Sequence, residues 1–145
     1  MACVRDLLAR KGGALVTVTG TTTVLDASTL MVERGIGGVV VLDDEGRLAG
    51  IFTERDVLRR VVAVRLDPAQ TLVRDVMTAP VLTVLPETAL EECQATMTER
   101  RIRHLPVLGP TGLAGLVSSG DVLAYTVAER QDTIQQLESY VYSVR

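Results

Sequence analysis

Residues 48–58 read LAGIFTERDVL, and residues 113–123 read LAGLVSSGDVL. Both stretches place a glycine, an apolar pair, a hydroxyl residue and an aspartate in the same order, so Asp121 is the counterpart of Asp56. Self-similarity over such a distance is the signature of a repeated structural unit. The sequence therefore predicts two copies of one unit, each with one of these aspartates.

The segments that precede these stretches repeat as well. Residues 4–8 (VRDLL) return at 73–77 as VRDVM, and residues 31–34 (MVER) return at 97–100 as MTER. The spacing drifts slightly between the copies, at a turn, where a change of length is tolerated. The matches predict a first copy at residues 1–66, a second copy at 67–127 and a C-terminal helical tail at 128–145.

Each copy is predicted to fold as a β-α-β-β-α unit, beginning with a short strand and a helix. The strand of the first copy lies at 16–18, and Thr22 is a candidate N-cap for the helix after it. In the second copy the strand lies at 82–84, and Thr88 and Glu91 have the spacing of a capping box.

A β-hairpin and a second helix complete each copy. The hairpin strands are predicted at 39–42 and 48–53 in the first copy, and at 105–108 and 113–118 in the second. A unit of about 60 residues is only marginally stable alone. The two copies are therefore predicted to pack face to face as one α/β module.

The composition argues against several classes of partner. The formal net charge is -3 and no Lys/Arg run occurs, so neither nucleic acid nor a membrane surface is expected as a partner. No apolar stretch approaches the roughly 18 residues of a membrane span. Cys3 and Cys93 lack disulfide or metal-site spacing. A soluble cytoplasmic protein is expected.

The predicted tail is an amphipathic helix. Ile134, Leu137 and Val141 share one helical face. This face either packs back on its own module or makes a contact between subunits, and the sequence leaves both alternatives open.

The repeated stretches at 50–56 and 115–121, each behind the same helix and hairpin, resemble those of CBS domains. The wording IRHLPV at 102–107 and the tail segment QLESY at 136–140 further resemble small bacterial stand-alone CBS pairs and the plant CBSX group.

The resemblance implies that the repeats pair through their sheets about a pseudo-two-fold axis and form two clefts. Each cleft combines the Gly-to-Asp stretch of one repeat with the segment before the first strand of the other. The usual ligands are AMP, ADP and ATP, and sometimes S-adenosylmethionine or a dinucleotide. Two modules usually associate as a homodimer, and neither catalysis nor a required cofactor is implied.

An adenine nucleotide needs a carboxylate for its ribose hydroxyls, an apolar slot for its ring and donors for its phosphate. Asp56 and Asp121 stand in the first turn of a helix, where they either bind ribose or cap that helix. Thr53 and Ser118, three residues earlier, either donate to a phosphate or simply end their strands.

For the phosphate, the preferred constellation surrounds Asp121. Arg103 and His104 precede the second hairpin, and Lys11 and Gly12 lie before the first strand of the other copy. Arginine binds phosphate oxygens in a bidentate way, and glycine lets the backbone approach. His104 is the only histidine, and it is interpreted as a ligand against the alternative of a structural role.

The Asp56 cleft is predicted to depend on Arg55 and the segment at 77–81, because Gly37 and Gly38 stand where the second copy has Arg103 and His104. Arg100 and Arg101, at a helix C-terminus, are interpreted as solvated partners of the helix dipole. The predicted binding residues are Lys11, Gly12, Gly37, Thr53, Arg55, Asp56, Thr78, Pro80, Val81, Arg103, His104, Leu116, Ser118, Gly120 and Asp121.

Signatures of an enzyme are missing from the sequence. One histidine and two cysteines do not make a usual zinc set, and Ser118 lacks the glycine of a nucleophile elbow. The leading hypothesis is a non-catalytic sensor that binds an adenosine nucleotide and signals to an unknown partner protein. The alternative is a ligand-free dimerisation or scaffold module whose clefts are vestigial.

Overall fold

The computed structural model describes residues 1–143, so the last two residues of the predicted tail lie outside the described residues. The elements of the first copy are α1 (Val4–Lys11), β1 (Thr17–Thr19), α2 (Val24–Arg34), β2 (Gly38–Leu42), β3 (Leu48–Thr53) and α3 (Glu54–Val57), which continues as a π-helical turn (Leu58–Val62). The elements of the second copy are α4 (Val73–Val76), α5 (Leu90–Arg100), β4 (His104–Gly109), β5 (Gly112–Ser118) and α6 (Ser119–Ser143).

Both predicted hairpins are present, and they have the same register. β2 pairs antiparallel with β3, with an irregularity after Val41, and β4 pairs antiparallel with β5, with an irregularity after Val107. β1 adds a parallel strand to the first hairpin. The strand predicted at 82–84 is reduced to a single parallel bridge between Val84 and Val107.

The N-cap predicted at Thr22 is wrong, because the helix begins one residue later. Thr23 is the N-cap, and its side chain accepts a hydrogen bond from the Asp26 amide at 3.1 Å. The Thr22 hydroxyl instead accepts from the Thr19 amide at 3.3 Å, inside the turn that follows β1.

The capping box predicted at Thr88 and Glu91 is also wrong. The N-cap of α5 is Ala89, which makes no side-chain cap bond. The Thr88 hydroxyl accepts from the Leu85 amide at 3.0 Å. In both copies the tight turn before the helix engages the threonine that the spacing assigned to the cap.

The first helix of each copy packs into the core of the other copy. Val73 and Val76 of α4 are buried in the first core, around Phe52. Val4 and Leu7 of α1 are buried in the second core. Backbone hydrogen bonds fix the exchange, because Val24 N–H donates to Thr71 C=O at 2.9 Å and Val4 N–H donates to Thr88 C=O at 2.9 Å. The two repeats are therefore interlocked by their α1 and α4 helices.

Glycines in β3 and β5 allow the exchanged helices to cross the sheets. A Cβ atom added at Gly50 would lie 2.8 Å from the carbonyl oxygen of Thr78, and one added at Gly115 would lie 2.9 Å from the Leu8 side chain. These distances are shorter than side chains tolerate. The glycines of the repeated LAG segment thus let the chain after α4 lie against β3 and let α1 itself lie against β5, beside the two clefts.

α6 extends well beyond the second core. Arg10 pairs with Glu129 at 3.3 Å and with Asp132 at 3.2 Å, which ties the middle of the helix to α1. Ile134 and Leu137 are more than half exposed, at 54% and 60%. The apolar stripe of the tail therefore does not pack back on its own module. No helix within residues 1–143 has the length and hydropathy needed to span a bilayer.

Candidate functional site

Two cavities lie at the ends of β3 and β5, and each contains one of the repeated aspartates. The Asp56 cleft has a volume of about 720 Å³, and the Asp121 cleft has a volume of about 330 Å³. The Asp56 cleft is lined by residues of β3, α3, the segment after α4 and the end of α5, among them Thr53, Arg55, Asp56, Thr78, Val81 and Arg103. The Asp121 cleft is lined by the end of α1, the segment before β1 and residues of β5, among them Lys11, Gly12, Leu116, Ser118 and Asp121.

The Asp56 carboxylate is buried and faces both copies. Its Oδ2 accepts from the Thr53 amide at 3.0 Å, and its Oδ1 accepts from the Thr78 hydroxyl at 3.0 Å. Arg60 Nε lies 3.7 Å from Oδ1. A carboxylate oxygen has two lone pairs, so Oδ1 retains capacity for one more donor.

The Asp121 carboxylate is already paired with a lysine. Its Oδ2 accepts from the Ser118 amide at 2.9 Å and from Lys11 Nζ at 2.8 Å. Burial opposes ionisation of Asp121, but the bonds from Lys11 and Ser118 outweigh it and hold the pKa below its ordinary value.

The hydroxyl residues that precede the aspartates cap the helices. The Thr53 hydroxyl accepts from the Asp56 amide at 3.3 Å, and the Ser118 hydroxyl accepts from the Asp121 amide at 3.0 Å. In return, each aspartate side chain accepts a hydrogen bond from the backbone N–H of that hydroxyl residue. Each strand-to-helix junction is therefore a closed pair of hydrogen bonds that holds the carboxylate at the rim of its cleft.

Arg103 lies in a different cleft from the one predicted. The sequence grouped it with Lys11 and Asp121, but it lines the Asp56 cleft. The cause is the alternation of side chains as the chain enters β4, which turns neighbouring residues in opposite directions. His104 reaches both cavities, and a Cβ added at Gly38 would lie 3.0 Å from its Nε2.

The Asp56 cleft carries a surplus of positive charge. Five arginines line it, against two acidic residues, Glu54 and Asp56. Within the described chain, three of these arginines form no ion pair or side-chain hydrogen bond. The lining arginines are Arg55, Arg59, Arg60, Arg100 and Arg103.

Sequence reasoning missed Arg59 and Arg60, and it assigned Arg100 to solvent. Arg59 is four residues after Arg55, and Arg60 is four residues after Asp56. Residues at this spacing share one face of a helix. That spacing was the available signal, because a helix that places Asp56 in a cleft also brings these arginines to it.

The remaining predicted residues divide between the clefts. Gly37 lines both. Pro80 and Val81 line the Asp56 cleft, and the backbone N–H and C=O of Val81 make no hydrogen bond to any residue of 1–143. Gly120 lines neither of the two cavities, so it is not brought into a cleft.

His104 is held in its neutral form. Burial is the main cause that lowers its pKa below the ordinary value, and Lys11 and Arg103 act in the same direction. Asp121 and Glu54 oppose the shift without reversing it. The imidazole that lines both clefts is therefore uncharged at neutral pH.

This lowered pKa predicts an acid-dependent loss of stability. Below the ordinary histidine pKa of about 6.5, the unfolded chain binds a proton that the folded chain resists, so the free energy of unfolding falls as the pH falls. The slope from this residue is at most about 1.4 kcal/mol per pH unit. Urea unfolding between pH 7 and 5 should show this slope, and His104→Gln should flatten it. An equal slope in both proteins would contradict the assignment.

The comparisons with known proteins point to one family. The family model described as "CBS domain" matches residues 4–63 and residues 73–128. CBSX3, a mitochondrial CBS domain-containing protein of Arabidopsis thaliana, is 36% identical over 146 residues, which cover 95% of this chain and 71% of that protein. Because that relative is mitochondrial, the cytoplasmic location expected from the sequence stays a prediction.

Two solved structures are similar to most of the chain. A CBS-domain protein of Burkholderia ambifaria has a TM-score of 0.82 and 42% identity, covering 88% of this chain and 95% of that one. A CBS domain protein of Pyrobaculum aerophilum, complexed with AMP, has a TM-score of 0.74 and 27% identity, covering 83% and 89% of the two chains.

CBS pairs are regulatory, non-catalytic modules. Residues 1–143 contain no group of three or more His, Cys, Asp or Glu that could hold a metal ion. The structure has two interlocked β-α-β-β-α repeats about a pseudo-two-fold axis and a C-terminal helix, and the family model matches both repeats. The chain therefore belongs to the CBS-domain family, as one CBS pair.

Proposed function

We propose that the chain is a non-catalytic sensor that binds an adenosine nucleotide in the Asp56 cleft. The observation that carries the proposal is the cluster of five arginines in a cleft of about 720 Å³, on a chain with a net charge of -3. The Asp121 cleft, which the sequence favoured, has only Lys11 as a permanent cation, and its ammonium is engaged by the carboxylate.

The lining of the Asp56 cleft matches the parts of a nucleotide. Asp56 Oδ1 can accept from a ribose hydroxyl in addition to Thr78. The unpaired backbone N–H and C=O of Val81 suit the polar edge of adenine, and Pro80 and Ile102 provide apolar walls for its ring. Arg59, Arg100 and Arg103 are free to bind the phosphate.

The charge of the cleft also ranks the ligands. AMP, ADP and ATP carry negative phosphates that the arginines attract. S-adenosylmethionine has one carboxylate against a sulfonium and an ammonium group, so its net charge is positive and the same arginines disfavour it. The AMP complex of the Pyrobaculum protein supports the choice of an adenosine monophosphate as the first ligand to test.

The ligand would signal by bridging the two repeats. Asp56 belongs to the first repeat, whereas Thr78, Val81 and Arg103 belong to the second. A ligand that contacts both repeats favours the arrangement in which those contacts are made together. This bias is what a regulated partner protein would detect.

Titration calorimetry with Arg103→Met tests the proposal. AMP should bind the unsubstituted chain, and the variant should bind it about tenfold more weakly because one charge-assisted bond to the phosphate is lost. S-adenosylmethionine should give no heat at the same concentrations. Arg130→Met removes an arginine from the exposed tail and serves as the matched control. Failure of AMP, ADP and ATP to bind at millimolar concentration would refute the proposal.

We also propose that the sensor is a homodimer. Val32, Leu58 and Val62 are exposed around an apolar cavity of about 570 Å³ between α2 and the π-helical turn. Contiguous exposed apolar surface of this kind marks an interaction site. The same observation favours the scaffold alternative, in which the chain only assembles, so ligand binding and assembly have to be measured on the same variant.

A further inference from the structure

The segments before β1 and after α4 occupy equivalent places in the two clefts, but they meet the aspartates differently. In the Asp56 cleft, the Thr78 amide donates to Ile51 C=O at 2.8 Å and the Thr78 hydroxyl donates to Asp56 at 3.0 Å. In the Asp121 cleft, Lys11 Nζ makes both contacts. It donates to Leu116 C=O at 3.1 Å and to Asp121 at 2.8 Å.

The length of the exchanged helices explains the difference. α4 ends at Val76, so the chain after it lies against β3 and offers a short threonine to the carboxylate. α1 continues to Lys11 and its backbone turns at Gly12, so the long lysine side chain, and not a backbone amide, reaches the Leu116 C=O of β5. The lysine thus substitutes for both a backbone amide and a hydroxyl.

Thr78 and Lys11 leave different hydrogen-bonding capacity for a ligand. A threonine hydroxyl can rotate and accept as well as donate, whereas an ammonium group only donates. Lys11 therefore neutralises the Asp121 charge and covers Oδ2, the oxygen that Ser118 also engages. A ribose diol that engages both carboxylate oxygens of Asp121 has to displace the charge-assisted bond at Oδ2, in a cleft of about 330 Å³, less than half the volume of the other.

We propose that Lys11 is an internal occupant of the sugar-binding position in the Asp121 cleft, and that it keeps this cleft closed to nucleosides. The chain then binds one adenosine nucleotide, not two. This inference rests on the proposed function, because it takes the aspartate to be the group that binds the sugar. It also predicts which ligand enters once the lysine is removed. Without Lys11 the lining of this cleft has no cation to pair with a phosphate, because His104 is neutral. The opened site therefore favours uncharged adenosine over AMP.

The test uses the full chain with the Asp56 cleft silenced by Asp56→Asn. Equilibrium dialysis with radiolabelled adenosine should find no site in this background below millimolar ligand. Adding Lys11→Met keeps the apolar length of the side chain without a donor. The double variant should have one adenosine site per chain, with an affinity at least about tenfold higher than that of the Asp56→Asn background. Adding Asp121→Asn to that variant should abolish the new site.

Two controls keep the result interpretable. Arg10→Met removes a cation from the same helix that pairs with Glu129 and Asp132 outside the cleft, and it should create no site. Lys11→Ala repeats the test with a second side chain, and thermal unfolding confirms that each variant is folded.

The outcomes separate this inference from the proposed function. Two AMP sites in the unsubstituted chain, or no gain in adenosine binding with Lys11→Met and Lys11→Ala, would overturn the role of Lys11 while AMP binding at Asp56 could still stand. A loss of AMP from the Asp121 cleft in Lys11→Met would make the lysine a phosphate ligand, which also overturns it. If AMP binds nowhere but Lys11→Met gains an adenosine site, the proposed function fails and the role of Lys11 stands.

Discussion

Asp56→Asn should weaken AMP binding by on the order of 100-fold and leave the assembly of the chain unchanged. The amide keeps the shape of the side chain and an acceptor for the Thr53 amide, so the strand-to-helix junction after β3 is retained. The variant loses the negative charge that accepts the ribose hydroxyls. Hydrogen bonds to charged groups contribute about 1.5–3 kcal/mol each, and a loss of about 2.7 kcal/mol corresponds to 100-fold. Titration calorimetry measures the affinity, and sedimentation equilibrium measures the mass.

Asp121→Asn is the matched control for this result. It changes the equivalent position of the other repeat, where Lys11 already holds the carboxylate, so AMP affinity should stay within about twofold of the original. The reverse outcome, with Asp121→Asn harmful and Asp56→Asn neutral, would return the site to the cleft that the sequence favoured. Unchanged AMP affinity in both variants would remove the aspartates from ligand binding and favour the scaffold alternative.

The repeat made the fold accessible from sequence. Both hairpins follow from alternating apolar strands around short turns, and α2 and α5 follow from apolar residues at helical spacing. The exchange of α1 and α4 could not be predicted in this way. The predicted unit begins with a strand, so the helices α1 and α4 were missed as well. Val4 and Leu7 have the same spacing as Val73 and Val76, which fits one buried helical face but does not show which core buries it.

The candidate site was predictable to the extent that it depends on local spacing. The two aspartates and their capping partners were found because the Thr/Ser-x-x-Asp pattern builds the same junction in both repeats. The assignment of Arg103 depended on which side of the chain faces which cleft, and that is fixed only when the repeats are packed together. The role of Lys11 required knowing that α1 runs longer than α4.

The interlocked cores also predict which fragments of the chain fold. A fragment of residues 1–66 corresponds to the first copy in covalent order, but it lacks Val73 and Val76, which are 0% and 5% exposed in the first core. Burying two such side chains contributes about 3–6 kcal/mol. A core of this size supplies only about 3–5 kcal/mol in total. The fragment 1–66 should therefore show no cooperative thermal unfolding by circular dichroism.

A fragment of residues 13–78 has the same length and should unfold cooperatively. It omits α1, which packs in the second core, and it includes α4, so every buried residue of the first core is present. Val40 and Ile51, on the opposite face of its sheet, are buried in the intact chain but belong to neither core cluster, and we expect them to become exposed when the second repeat is removed. A second copy of the fragment is expected to cover this face, so the unfolding temperature should rise with concentration. If 1–66 folds as well as 13–78, the helix exchange does not stabilise the cores. The position of Thr78 beside Asp56, which the exchange of α4 is taken to fix, would then need another explanation.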